Sequence, residues 1–157
     1  MLFKNFFVVS GVGLSKTSKL NAFDKALMAA GIAQCNIVPV SSILPKKAKQ
    51  ISPIEIEPGS ITFAVLARAE GDEGETVSAG LGWALCTNQD GEDAYGIVVE
   101  EHGFNSEKEA KNLIELKLKE ATDSRKMKIK KQDIKTASIK VLEDHYGSAI
   151  VALIYAQ

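Results

Sequence analysis

Apolar runs alternate with polar stretches along the 157-residue chain, and most of the runs have strand length. Segments rich in Val, Ile and Phe fall at about 3–10, 36–43, 61–69, 76–86, 94–101, 135–142 and 148–155, each bounded by turn-forming or charged residues. Two stretches carry a helical period instead. The first begins near Ser18, sets Leu20, Phe23, Leu27 and Ala30 on one face, and is stopped by Gly31. The second opens on Ser106-Glu107-Lys108-Glu109, a capping box, and runs to about Ala121 with Ala110, Leu113, Ile114 and Leu118 inward. Seven strands and two helices predict an α/β sandwich in which helices cover sheets. Residues 45–60, with Pro45, Pro53, Pro58, Gly59 and three lysines, read as an exposed connection.

The length suits one well-cored domain spanning residues 1–157. A net charge of −1 gives no reason to expect nucleic acid or an anionic membrane as partner. The charge is unevenly placed: residues 1–41 carry +3 and residues 42–157 carry −4. The alternation Lys126-Met127-Lys128-Ile129-Lys130 reads as a solvated strand edge rather than a nucleic-acid patch. Cys35 and Cys86 are too few for a disulfide framework and read as reduced thiols. No uncharged run approaches the roughly 18–20 residues that span a bilayer. Phe6-Phe7-Val8-Val9 reads as a buried strand rather than a signal core, so a cytoplasmic location is expected.

Most candidate motifs reduce to structure. Gly11-Val12-Gly13 lacks the spacing of a phosphate loop or a dinucleotide fingerprint, and is expected to be a strand-to-helix turn. His102 and His145 have no companion at ligand spacing, so no metal site is expected. "SAGLGWAL", around Trp83, alternates small and large residues as a closely packed strand does.

"VPVSSILP", residues 38–45, differs in kind: Ser41 and Ser42 sit inside an extended apolar run bracketed by Pro39 and Pro45. A serine hydroxyl can attack the carbonyl of the residue before it and convert that peptide bond to an ester. β-Elimination then cuts the chain and leaves a dehydroalanine, which hydrolyses to a pyruvoyl group. The reaction needs a constrained peptide and donors for an oxyanion, and two residues of fixed φ help hold such a geometry. On spacing alone, an ordinary loop is the favoured explanation, because Ser-Ser next to Pro is common in loops.

"LNAFDKALMAAGI" (20–32), "NIVPVSSILP" (36–45), "GETVSAGLGWAL" (74–85) and "GIVVEEHG" (96–103), in this order, resemble the pyruvoyl-dependent arginine decarboxylase family. The similarity extends from about residue 5 to the terminal "GSAIVALIYA". It implies a four-layer αββα sandwich, an α+β member of the α/β class. It also implies self-cleavage between Ser41 and Ser42 into a β chain (1–41) and an α chain (42–157) that begins with a pyruvoyl group made from Ser42. By the same resemblance Asn36 matches a residue associated with processing, and Glu100 matches the active-site glutamate, with Glu101 the adjacent competitor. Asp24 matches the acid that meets the substrate guanidinium, Leu20 and Leu27 line its side, and Cys35 lies on the pocket approach. Ala33 and Cys35 stand where relatives often carry Gly and Val, which touches substrate preference more than processing. The implied activity is conversion of L-arginine to agmatine and CO₂ through a Schiff base on the pyruvoyl group, without metal or pyridoxal phosphate. The implied assembly is a trimer with active sites between neighbours. Action on another amino acid, or an uncleaved binding or regulatory subunit, are the alternatives.

Overall fold

The computed structural model describes residues 1–157 and stacks the chain in four layers. In chain order the elements are β1 (Asn5–Ser15), α1 (Lys19–Ala29), β2 (Asn36–Pro39), β3 (Ile43–Leu44), β4 (Lys49–Gln50), β5 (Ile61–Gly71), β6 (Thr76–Thr87), β7 (Gly96–His102), α2 (Glu107–Ser124), β8 (Lys128–Lys140) and β9 (Tyr146–Ala156). One sheet has the order β2-β5-β9-β1-β4 and the other β3-β7-β6-β8. The second is wholly antiparallel, whereas the short edge strands β2 and β4 run parallel to their neighbours β5 and β1.

Three apolar layers hold the stack. Between the sheets, Phe6, Val65 and Leu153 meet Leu44, Leu81, Trp83 and Val98, and the Phe6 ring meets Trp83 edge-on with centroids 6.2 Å apart. Ala26 of α1 packs with Phe7, Ile150 and Ile154 on the outer face of the five-stranded sheet. Ile114 and Leu118 of α2 pack with Ala84, Cys86 and Ile97 on the outer face of the other. Central strands such as β6 and β9 are therefore covered on both faces, which is why they read as continuous apolar runs rather than alternating ones.

Several expectations are corrected. Gly11 and Gly13 lie inside β1 rather than in a turn. A Cβ at either would collide with the α1 backbone at Ala26 or Ala22, so the glycines allow helix and strand to approach closely. That approach buries Ala22 and Ala26, with Phe23, Leu27 and Ala30 packed beside them as predicted, while Leu20 is turned outward to 70% exposure. Leu113 of α2 is likewise on the exposed margin, while Ala110, Ile114 and Leu118 are fully buried. β8 begins at Lys128 and takes in most of the basic alternation, and it is an edge strand of its sheet as that pattern predicted. Gly31, with φ +76°, follows α1, and Ser106 Oγ accepts from the Glu109 N–H at 3.1 Å to start α2. No helix is long and apolar enough to cross a membrane.

Candidate active site at the sheet crossing

The run expected as one strand over 36–43 is two strands in two different sheets. β2 lies at the edge of the five-stranded sheet, a position that tolerates the missing N–H of Pro39. β3 lies at the edge of the four-stranded sheet and stops at Leu44, just before Pro45. Residues 40–42 make the crossing. The Val40 N–H donates to the Ala64 carbonyl of β5 at 2.9 Å, and the Val98 N–H of β7 donates to the Ser42 carbonyl at 2.9 Å. The Ser41–Ser42 peptide bond therefore joins a segment tied to one sheet to a segment tied to the other.

Strand alternation sets what faces this bond. Leu44 is fully buried between the sheets, so Ser42, two residues earlier and half-buried, shares its inward face. Ile43 pairs with Ile97 and Leu44 with Gly96, which puts Val98 beside Ser42. Val98 packs in the inter-sheet core, so Glu100 is on that same inward face. Glu101 is on the other face, where Lys117 of α2 pairs with its carboxylate at 2.6 Å. The two acids are held in opposite states. Glu100 is exposed at the end of β7, yet desolvation by the protein around it pushes its carboxyl above the ordinary glutamate range, opposed by Lys117 and His102. The Lys117 hydrogen bond holds the less exposed Glu101 below that range.

A cavity of about 310 Å³ opens beside the crossing, lined by Val40, Ser41, Ile43, Phe63 and Tyr155 together with the N-terminal Met1 and Phe3. The Tyr155 hydroxyl donates to the Ile43 carbonyl at 2.8 Å.

The other predicted site residues form a second group. Asp24 is exposed on α1 and in no ion pair, with exposed Leu20 and half-buried Leu27 on the same helix. Half-buried Cys35 places its Sγ 3.2 Å from the Ile32 carbonyl. Asn36 opens β2, and its Nδ2 donates to the Gly59 carbonyl at 3.0 Å. Asn36 precedes Ser41 by roughly 16 Å of extended chain, and α1 covers the outer face of a sheet whose inner face meets Ser42. Pairing thus sets Ser42 beside Val98, two residues before Glu100, whereas Leu20, Asp24 and Leu27 are on α1 across the five-stranded sheet and Asn36 is at the far end of β2. The Val98 N–H is a site group that sequence reading missed, because a backbone donor is identified only by strand pairing.

Fold and site define an α–β–β–α sandwich with a serine pair in the three-residue crossing from β2 to β3. The family model for pyruvoyl-dependent arginine decarboxylase matches residues 5–157, and the chain belongs to that family. A pyruvoyl-dependent arginine decarboxylase of Methanopyrus kandleri is 35% identical over 152 residues, covering 97% of this chain and 96% of that protein. One of Pyrococcus abyssi is 34% identical over 140 residues, covering 87% of this chain and 85% of that protein. A probable pyruvoyl-dependent arginine decarboxylase of Chlorobaculum tepidum is 42% identical over 103 residues, covering 62% and 55%.

Proposed function

We propose that the chain cleaves itself between Ser41 and Ser42 and then decarboxylates L-arginine to agmatine. The observation that carries this reading is the anchoring of the two sides of that peptide bond to different sheets, with Glu100 on the face that Ser42 shares. In processing, the Ser42 hydroxyl attacks the Ser41 carbonyl carbon. The C–N bond breaks, the hydroxyl proton passes to the Ser42 amine, and an ester joins the two residues. Loss of the Ser42 α-proton then expels the Ser41 carboxylate from Cβ. The dehydroalanine left at position 42 tautomerises, takes up water and releases ammonia. Both products keep their anchors, residues 36–40 on β5 and residues 42–44 on β7, so the two chains remain together.

The residues at the crossing fit a pyruvoyl group at position 42. The carbonyl that would flank its ketone is the Ser42 carbonyl, already hydrogen-bonded by Val98, and an open cavity borders the neighbouring residues Ser41 and Ile43. When present, such a group binds the substrate amine and withdraws electrons as CO₂ leaves. The Val98 N–H favours negative charge on the carbonyl it already contacts. Glu100, whose carboxyl is pushed above the ordinary glutamate range by desolvation, returns a proton to the substrate α-carbon. Asp24 meets the guanidinium with two parallel hydrogen bonds. Because Asp24 and Asn36 lie apart from their own chain's Ser42, they serve the crossing of a neighbouring copy, in a cyclic assembly expected to be a trimer.

Intact-mass analysis of freshly made protein tests this reading. The wild-type chain is expected as two species split after Ser41, the heavier with a pyruvoyl end, and Ser42→Ala as one inactive chain. Two species from Ser42→Ala split at the same bond would overturn it. A panel of amino acids then separates arginine from other substrates, and an uncleaved chain that binds arginine would mark a binding subunit instead.

A further inference from the structure

Tyr155 is on β9, in the middle of the five-stranded sheet, while the carbonyl it binds belongs to Ile43 in the other sheet. The hydrogen bond therefore spans the sandwich one residue beyond the proposed scissile bond. We propose that Tyr155 is a positioning residue for self-cleavage, holding β3 so that the Ser42 hydroxyl stays aimed at the Ser41 carbonyl carbon. This inference rests on the self-processing reading above.

Attack closes a five-membered ring of Ser42 Oγ, Cβ, Cα and N with the Ser41 carbonyl carbon. Only the Ser42 φ and χ1 torsions bring its ends together. The amino side of that rotation is fixed by Val40 N–H on Ala64. The carboxyl side has the Val98 bond to Ser42, about which a two-residue edge strand can still pivot. The Tyr155 bond to Ile43 is a second point on that side, and two points stop the pivot. Apart from its two pairs to β7 and the buried Leu44, little else restrains β3 there. Ile43 is 44% exposed, and the cavity of about 310 Å³ beside it leaves room to shift. Tyr155 itself is firmly placed, paired with Phe6 on β1 and half-buried against Phe3, with ring centroids 6.3 Å apart. Burial pushes its hydroxyl above the ordinary tyrosine range, so it remains a donor throughout the neutral and mildly alkaline range.

Tyr155→Phe keeps the ring and removes only the donor. Small misplacements of reacting groups cost up to about 100-fold, so cleavage followed by intact mass after cell-free synthesis of the full chain is expected to slow by about 10 to 100-fold. Hydroxylamine intercepts the ester, forming a hydroxamate at Ser41, and so reports its formation alone. Hydroxylamine-trapped cleavage should slow by the same factor. Leu153→Val, a control chosen for a similar loss of thermal stability in the uncleaved Ser42→Ala background, should process at the wild-type rate. The inference is overturned by a wild-type rate in Tyr155→Phe, by equal slowing in Leu153→Val, or by unchanged hydroxylamine trapping. A wild-type chain that never cleaves would strike down the self-processing reading instead, which keeps the two failures distinct.

Discussion

At the scale of single residues, neighbouring acids have opposite duties. Glu100→Gln keeps the shape and removes the transferable proton, so processing should remain near normal while kcat falls by about 10² to 10⁴-fold. In the proposed mechanism Glu100 acts in its protonated form and its acid range is raised, so wild-type turnover should fall as pH rises through that raised value. The Gln variant should lack that limb in a pH–rate profile. Glu101 has the opposite sign. Its range is lowered chiefly by the Lys117 hydrogen bond, so the stability it contributes is present above the ordinary glutamate range and lost as pH falls through the lowered value. Lys117→Ala should cost no more than about 1 kcal/mol at neutral pH and less in strong acid, where only its hydrogen bond to the Glu100 carbonyl remains to be lost, as read from denaturant melts. If Glu101→Gln and not Glu100→Gln abolished turnover, the assignment of faces would be wrong. Asp24→Asn should still self-cleave but lose most of its preference for arginine over citrulline. A site built to pair with a charged fork discriminates by roughly 10⁴-fold or more, far above an apolar pocket. Competing turnover of the two substrates measures it.

At the scale of elements, close packing between helix and strand controls how α1 sits. Gly13→Ala would drive a Cβ into the α1 backbone at Ala22, and no flexible side chain is there to yield. Overpacking of this kind costs about 1–3 kcal/mol, and thermal denaturation of the Ser42→Ala chain should show a loss of at least that size. Because Asp24 is on the displaced helix, cleaved Gly13→Ala protein should also show a raised KM for arginine. Gly82 makes the matching contact with Ile114 of α2, but that neighbour is a side-chain methyl and can move. The milder expected loss at Gly82→Ala tests whether backbone or side-chain crowding sets the penalty.

At the scale of the whole molecule, the proposed site is divided. Leu20 and Met28 are exposed on α1, and the residues expected to recognise substrate are separated from the Ser42 crossing by a sheet. Association of copies would cover that apolar surface and complete each site. Light scattering should report a trimer, and activity should fall on dilution in step with dissociation. Mixing processed Glu100→Gln chains with processed Asp24→Asn chains should restore part of the activity, because each variant supplies what the other lacks. A fully active monomer would contradict a shared site.

The sequence by itself determined the strands that are covered on both faces, the start of α2 at Ser106 and the stop after α1 at Gly31. These depend on local propensity, capping and backbone freedom. It also isolated the proline-bracketed serine pair, because no strand or loop requires that pattern. It could not separate Glu100 from Glu101. Both faces of β7 are covered, one by the other sheet and one by α2, so the run Ile97-Val98-Val99 labels neither face as inner. Nor could it see that Gly11 and Gly13 serve close packing, that Ala22 and Ala26 are the most buried positions of α1 while Leu20 is exposed, or that Val98 and Tyr155 reach the crossing. Those follow from pairings between residues far apart in the chain. Only the tertiary structure decided that Ser41 and Ser42 stand between two sheets, because which edge strand each half of the segment joins is set by the stacking of the layers.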